Sequence, residues 1–223
     1  MAALAIESTL QEDNPVTQPE LFISSDVTEP MAAAFYLQLM YDGLLPIVFY
    51  EKIPTIPEFL GWLHRPDCIT IAGLVRSQTN PVQRVGQDGR VGQVGQVELA
   101  GFGMIWDVKG PPGCRRGDIG IVFLRKFQKR SVTIPLATLM LDYVFRQRNL
   151  DAVYGISAVE GRAAIALAKA LGFSQTGLLP YYGSWNGKPS SAIMSYLTAV
   201  DFYRLHGTAS DKSEEARPWF INQ

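Results

Sequence analysis

The residues best suited to chemistry in this chain lie where a hydrophobic strand runs into a helix. The strand is DIGIVFLRKF, Asp118–Phe127, and the connection that follows is Gln128–Thr133. The first turn of a helix has N–H groups with no intrahelical partner, and the helix dipole adds partial positive charge there. With Lys129 and Arg130 beside it, such a junction favours binding of an anion, in particular a pyrophosphate group.

The same residues also permit a purely structural interpretation. A helix over Ile134–Arg146 could begin with Ser131 or Thr133 as its N-cap and with Pro135 in its first turn. The local residues leave both interpretations open, and the surrounding elements must decide between them.

Composition indicates a folded, near-neutral chain. It has 223 residues, of which 47% are hydrophobic and 18% charged, with a formal net charge of −1. That balance excludes a disordered chain and disfavours nucleic acid as a partner. Two cysteines and two histidines provide no zinc spacing, so we expect no metal. The apolar stretches are too short for a membrane span, and we expect a cytoplasmic protein without a membrane partner.

Hydrophobic periodicity predicts an alternation of strands and helices around this junction. Strands are predicted over Leu21–Ser25, Cys68–Arg76, Val97–Val108, Asp118–Phe127, Ala152–Val159, Gly177–Tyr182 and Ala192–Asp201. Helices are predicted over Glu29–Tyr41, Ile56–His64, Ile134–Arg146 and Gly161–Leu171. This order predicts an α/β fold with a mixed sheet of about seven strands and helices on both faces.

Three segments stand outside this alternation. Residues 1–20 are predicted to be a flexible N-terminal arm, and 206–223 a C-terminal tail whose Trp219–Phe220 tip would dock on its own domain or on a neighbouring subunit. Residues 84–96 are a Gly-rich insertion in which Val-Gly-Gln occurs three times. A flexible or hairpin-like excursion is favoured there over a ligand-binding loop. The remaining 21–205 form one domain.

From about Leu21 to Leu205 the chain resembles the GNAT superfamily of N-acetyltransferases. The likeness is carried by DIGIVFLRKFQKRSVTIPLATLMLDYVF, by GRAAIALAKALGF with its Leu-Gly-Phe ending, and by GLLPYYGSWNGKPSSAIMSYLTAVDFY. The last segment resembles the closing hairpin of members that acylate ribosomal protein N-termini and similar amines. The resemblance implies a GNAT-like fold, acetyl-CoA as acyl donor, and a small-molecule or peptide amine as acceptor.

The resemblance also implies a role for each matched cofactor residue. Backbone groups of Phe123 and Leu124 would meet the acetyl carbonyl and the pantetheine arm, because the family's strand splays from its neighbour there. The family's cofactor loop, Gln/Arg-x-x-Gly-x-Gly/Ala, would hold the pyrophosphate through its backbone N–H groups. Its matched positions are Gln128, Lys129, Arg130, Ser131, Val132 and Thr133, so Ser131 and Thr133 replace the two glycines.

The catalytic residues implied by the resemblance depart from the family pattern. Asp118 matches the family's Glu at the start of the strand and would act as general base, or it would be only a strand-end carboxylate in a turn. The usual acid, a tyrosine, is replaced by Ala168, and the Asn that opens the same helix by Gly161. Tyr181 or Tyr182, on a strand expected to face the cleft, would substitute as acid or would serve in packing.

Other reactive side chains are given structural interpretations. His64 and His206 are isolated, and Cys114 has neighbouring arginines but no evident base. Arg115, Arg116, Arg125, Lys126, Lys129 and Arg130 form a basic region for coenzyme phosphates, an acidic partner or nucleic acid, or simply a solvated edge.

Two functions follow from these observations. The first is an N-acetyltransferase in which an amine attacks acetyl-CoA directly in a ternary complex. The alternative is a catalytically diverged GNAT-fold protein that acts as a structural or protein-binding subunit, with a homo-oligomer or partner engaged through the C-terminal tail.

Overall fold

The computed structural model describes residues 19–49, 52–85 and 91–207, and for 77–85 and 91–95 the backbone only. The predicted N-terminal arm up to residue 18, the tip of the Gly-rich segment at 86–90 and the C-terminal tail from residue 208 lie outside the described residues.

The described strands form one seven-stranded sheet in the order β1-β2-β3-β4-β5-β7-β6. All neighbouring strands are antiparallel except β4 and β5, which run parallel because a helix connects them. The strands are β1 (Glu20–Ser24), β2 (Ile69–Val85), β3 (Val91–Lys109), β4 (Arg116–Phe123), β5 (Ala152–Ala158), β6 (Ser174–Trp185) and β7 (Lys188–Thr198).

Six α-helices accompany the sheet in the described part of the chain, with short 3₁₀ turns at Trp62–His64 and Arg125–Phe127. The helices are α1 (Glu29–Tyr41), α2 (Leu45–Val48), α3 (Ile56–Gly61), α4 (Arg130–Arg146), α5 (Arg162–Ala170) and α6 (Ala199–His206). The predicted mixed α/β architecture is confirmed.

Two hydrophobic cores lie on opposite faces of the sheet. Successive strand residues point to opposite faces, so Ile71 lies in the core beneath α4 and α6, and Ala72 in the core beneath α1 and α3. We call these faces the α4 face and the α1 face. Helices on both faces are thus confirmed, and each face presents its own set of strand side chains.

Helix α1 shows how local sequence sets the boundaries of an element. Thr28 is its N-cap and accepts a hydrogen bond from the Met31 N–H at 3.4 Å. At the other end the Asp42 N–H donates to the Gln38 carbonyl, and Gly43 follows with a φ of 68°. A residue with positive φ ends a helix most easily when it is glycine.

Two predicted boundaries at the C-terminal end are wrong. The strand predicted to reach Asp201 ends at Thr198, because the Thr198 hydroxyl accepts a hydrogen bond from the Asp201 N–H at 3.1 Å and caps α6. The two strands predicted over Gly177–Tyr182 and Ala192–Asp201 approach each other more closely than predicted, because a two-residue turn joins Trp185 to Lys188, with φ of 49° at Asn186 and 77° at Gly187. Asn-Gly is the favoured pair for such hairpin turns.

The hairpin of β2 and β3 is longer than predicted. The backbone of Arg84 pairs with Gly92 and that of Val85 with Val91, so the Gly-rich segment is in large part strand. This agrees with the hairpin-like interpretation of that segment.

Candidate active site

A cleft opens in the sheet between β4 and β5. The two strands pair from Arg116 and Ala152 only as far as Asp118 and Tyr154. Beyond that pair β4 remains paired with β3 and β5 with β7. We call the space between Ile119–Phe123 and Gly155–Ala158 the β4–β5 cleft. Its walls carry backbone groups that pair with no strand among the described residues.

Hydrogen bonding at the end of β4 decides which backbone groups face this cleft. The Leu124 N–H donates to the Ala100 carbonyl at 2.9 Å, and the Leu124 carbonyl accepts from the Phe127 N–H at 2.8 Å. Because backbone groups alternate in direction along a strand, those of Phe123 and Ile121 point away from β3 and towards β5. The Phe123 carbonyl accepts from the Gln128 side chain at 2.9 Å. Both backbone groups of Leu124 are therefore engaged, and the Phe123 N–H faces the cleft.

The predicted strand Asp118–Phe127 and the helix after it need correction. The strand ends at Phe123, and the helix begins at Arg130 with Lys129 as N-cap, not at Ile134. The helical period extends back to Val132, which is buried one turn before the buried Leu136 and packs in the core of the α4 face. Burial of the Val132 side chain in this core stabilises the first turn of α4.

The N-cap interpretation with Ser131 or Thr133 is also wrong. Both residues lie inside the first turn of α4, and the Thr133 hydroxyl donates to the Lys129 carbonyl at 3.1 Å. Pro135 lies inside the helix. Among the described residues, no side chain caps this terminus. The N–H groups of Val132 and Thr133 bond to Lys129, whereas those of Arg130 and Ser131 have no partner in the described part of the chain.

Glycine is not required at the two replaced positions of the predicted cofactor loop. Among the described residues, the non-glycine residues with positive φ are Asp107, Asn149, Tyr181 and Asn186. Ser131 and Thr133 have ordinary helical backbones, which L-residues adopt without strain. The Ser131 N–H, which has no partner in the described part of the chain, can therefore bind an anion as that of a glycine would.

Of the basic residues predicted around this helix, some are paired with acidic residues and others are free of ion pairs in the described part of the chain. Arg125 donates from its backbone and its guanidinium to Asp42, and Lys126 pairs with Glu98. Lys129 and Arg130 are exposed, and the structure shows no ion pair for either in the described residues. These two cations flank the uncapped N–H groups of α4.

Asp118 lies at the closed end of the cleft. Its side chain is half-buried on the α1 face and has no hydrogen-bond or ion-pair partner in the described chain. Burial, and secondarily the negative charge of Asp107, raises the pKa of Asp118 above its usual range. A carboxylate with a raised pKa and no partner is suited to accept a proton.

The structure does not bring Tyr181 or Tyr182 next to Asp118. Both lie on β6, the edge strand, which β7 and β5 separate from β4. Three strand spacings amount to about 14 Å. Tyr181 is 85% exposed, with a φ of 51° in a bulge of β6, while Tyr182 is half-buried.

The aromatic residues that do flank Asp118 were not predicted from the sequence. Trp106 pairs with Asp118 across β3 and β4, and Tyr154 pairs with it across β4 and β5. Each lies on a strand that the sequence predicted, but strand register, which brings them together, is not readable from periodicity. The two histidines lie elsewhere: His64 contacts Glu29 at 2.7 Å, and His206 the Leu171 carbonyl at 3.3 Å.

A cavity of about 300 Å³ lies beneath α5 on the α4 face. Its wall includes Ala168, where the resemblance expects a tyrosine, together with Ser157 of β5 and Ser195 of β7. Within the described ranges, no group of three or more His, Cys, Asp or Glu side chains could hold a metal ion. Of the helices that the structure describes, none is long and apolar enough to cross a membrane.

Comparison with known proteins gives structural matches alone. No protein-family model matches the chain. No curated protein sequence matches it either. The chain is similar to the crystal structure of spermidine N-acetyltransferase from Vibrio cholerae in complex with CoA and spermine. The match has 16% identity and a TM-score of 0.62 and covers 82% of this chain and 97% of that one.

Two further solved structures agree with this match. A chimera of the Vibrio cholerae enzyme SpeG with hSSAT has 15% identity and a TM-score of 0.61 over 82% of this chain and 97% of that one. A probable acetyltransferase has 15% identity and a TM-score of 0.59 over 81% of this chain and 94% of that one. The chain therefore has the GNAT fold of the N-acetyltransferases.

Proposed function

We propose that this chain is an acyl-CoA-dependent N-acetyltransferase that transfers an acetyl group to a primary amine. One observation carries the proposal: the β4–β5 cleft opens beside the uncapped first turn of α4. A cleft with free strand backbone and a helix N-terminus with free N–H groups provides donors for an extended ligand that ends in phosphates. The CoA and spermine named with the neighbouring Vibrio cholerae structure support the same classes of donor and acceptor here.

The residues present fit a coenzyme A pyrophosphate. The N–H groups of Arg130 and Ser131 would hold it, with Lys129 and the Arg130 guanidinium adding charge. Val132, Thr133 and Gln128 would shape this site, Gln128 by fixing the Phe123 carbonyl. When bound, acetyl-CoA would supply the thioester that donates the acetyl group.

The cleft wall would orient the reacting carbonyl. The N–H groups of Ile121 and Phe123 face the cleft. That of Ile121, three residues from Asp118, would donate a hydrogen bond to the carbonyl oxygen, where negative charge develops, and that of Phe123 would hold the pantetheine arm. Leu124 would act through its position at the end of β4, since its own backbone groups are engaged.

Asp118 would act as the general base. It would take a proton from the ammonium of the acceptor, directly or through a water molecule, so that the neutral amine can attack the thioester carbon in a ternary complex. The leaving thiol has an ordinary pKa of about 8.5, so the thiolate can depart and take its proton from water. The proposal therefore assigns no proton to Tyr181 or Tyr182.

A catalytically diverged, partner-binding subunit is the second candidate. The outer side of α1 favours it, because Leu37, Met40 and Tyr41 are 46%, 54% and 87% exposed. Ala168 in place of the usual acid also favours it. A protein of this kind would keep the fold and show no transfer to any amine.

The experiment is an assay of thiol release from acetyl-CoA with a panel of primary amines. The double variant Lys129→Glu/Arg130→Glu should raise the KM for acetyl-CoA at least about tenfold, because each charged hydrogen bond contributes roughly 1.5–3 kcal/mol. Lys188→Glu/Arg148→Glu is the matched control, since both residues are exposed and lie away from the first turn of α4. Equal KM values in the two variants would remove the proposed phosphate site.

A further inference from the structure

The geometry points to an acceptor that is a singly charged amine with an apolar body, bound on the α1 face between Trp106, Asp118 and Tyr154. This inference rests on the proposed function, whose acceptor it specifies. It differs from what the neighbouring Vibrio cholerae structure suggests, since spermine carries several positive charges.

The site is a single cross-strand row. Trp106 pairs with Asp118, Asp118 with Tyr154, and Tyr154 with Tyr196, so the row crosses β3, β4, β5 and β7 in register. The row lies on the α1 face, since the adjacent Ile105 packs in the opposite core. A carboxylate thus stands between an indole and a phenol, and the rings of Tyr154 and Tyr196 are 6.4 Å apart.

The Trp106 indole occupies space that is open because Gly120 has no side chain. A Cβ at Gly120 would lie 3.3 Å from the Trp106 indole. The indole therefore covers Gly120, two residues beyond Asp118, where β4 separates from β5. Trp106 is also 38% exposed, so its ring is accessible to a ligand at the closed end of the cleft.

Asp118 is the carboxylate of this face that remains available. Among the carboxylates of the described strands, Glu20 pairs with Arg76, Glu98 with Lys126 and Asp107 with Lys109, whereas Asp118 has no such partner. One free carboxylate beside aromatic rings matches one ammonium, which gains both an ion pair and contacts with the ring faces.

The next rows of the same face are apolar. On the β4 side of the cleft the next pairs are Met104 with Gly120 and Phe102 with Val122, and on the β5 side they are Ile156 with Met194 and Ala158 with Ala192. Met104, Ile156 and Met194 are half-buried. Beyond the ammonium, an acceptor on this face therefore meets methionine and isoleucine side chains.

The charged neighbours act against a second ammonium. Asp107, Lys109 and Arg116 all act on Asp118 electrostatically. Asp107 is paired with Lys109, so Arg116 leaves the three with a net positive charge. A polyamine would place a further positive charge either against the apolar rows or towards these cations. Both placements are unfavourable, the first through desolvation and the second through repulsion. An arylalkyl or alkyl monoamine has neither problem.

The test is calorimetric titration of the full chain, with and without saturating CoA, against phenethylamine, hexylamine and spermidine. We expect the two monoamines to bind at least about tenfold more tightly than spermidine. Spermidine binding as tightly as the monoamines, or more tightly, would overturn the inference.

Variants assign the binding to the row. Asp118→Asn should weaken the binding of phenethylamine at least about tenfold, while the affinity for CoA stays within about twofold. Asp142→Asn on α4 is the matched control. Tyr154→Phe should retain the affinity for the amine within about threefold. Tyr154→Ala should lower that affinity about tenfold, because the amine contacts the face of the ring. Equal loss in the Phe and Ala variants would contradict that role.

The outcomes separate this inference from the proposed function. Monoamine selectivity without any CoA binding would reject the acyltransferase and leave the amine site in place. CoA binding without monoamine selectivity would reject the amine site and leave the cofactor half of the proposed function.

Discussion

Asp118 and Tyr154 are the last residues of β4 and β5 that face each other in register, and the two strands separate immediately beyond them. The half-buried carboxylate therefore lies where the sheet changes from paired strands to an open cleft. The first turn of α4 begins seven residues after β4 ends at Phe123, with Arg130. This relationship places the proposed base and the proposed phosphate site on one continuous stretch of chain.

Replacing the proposed base should remove turnover and leave the cofactor site intact. Asp118→Asn should lower kcat by roughly a hundredfold or more, since a positioned general base contributes about 10²–10⁴. The KM for acetyl-CoA should change little, because Asp118 lies at the other end of the cleft. Steady-state kinetics with acceptor held saturating measures both, and an unchanged kcat would contradict the assignment.

The pH profile should carry the signature of the raised pKa of Asp118. Activity should fall as the pH drops through that pKa, because the protonated carboxyl cannot accept a proton. Asp107→Asn removes a negative charge that helps to raise this pKa, so the acid limb should move to lower pH. Lys109 and Arg116 act in the opposite direction, and Lys109→Met should move the limb to higher pH. If the acid limb of the pH profile stays at the same pH in both variants, a group other than Asp118 is responsible for it.

Stability should change with pH in the sense that the same pKa shift requires. A carboxyl whose folded pKa lies above its unfolded value favours folding at low pH, and this contribution is lost as the pH rises through the folded pKa. Asp118→Asn should therefore unfold at a higher temperature than the wild type at pH 8, and the difference should shrink at pH 4. Thermal unfolding followed by circular dichroism at the two pH values gives the comparison. A stability gain of the variant that is larger at pH 4 than at pH 8 would contradict the raised pKa of Asp118.

Two glycine positions test how tightly the cleft wall is packed. A Cβ at Gly101 would lie 2.5 Å from the Phe123 ring and 2.7 Å from the Val122 carbonyl. Gly101→Ala should therefore destabilise the fold by about 1–3 kcal/mol and weaken CoA binding by moving Phe123. A Cβ at Gly177 of β6 meets nothing within 4 Å, so Gly177→Ala is the matched control. Equal unfolding midpoints in denaturant would show that Phe123 is not packed as described.

Much of the fold was predictable from the sequence because local rules decide it. Helix α1 was predicted with both of its boundaries, since Pro30 favours a helix start and Gly43 a helix end. The start of α4 was not predicted, because burial of Val132 against the sheet is a tertiary contact that outweighs local capping signals.

The candidate site was predictable only where it is continuous in sequence. The segment from Asp118 to Thr133 was found because its parts follow one another along the chain. Trp106 and Tyr154 reach Asp118 only through strand register, which depends on long-range pairing of β3, β4 and β5. Tyr181 was favoured by its place in a strand, but a bulge in β6 leaves it 85% exposed.

The central claim is that the β4–β5 cleft and the first turn of α4 bind acyl-CoA. Calorimetric titration of the purified full chain with acetyl-CoA, with free CoA alongside, tests it most directly. The account predicts binding at micromolar concentration, a free energy near −8 kcal/mol, for both ligands. Absence of heat up to millimolar concentration would contradict the account and favour the diverged, partner-binding subunit.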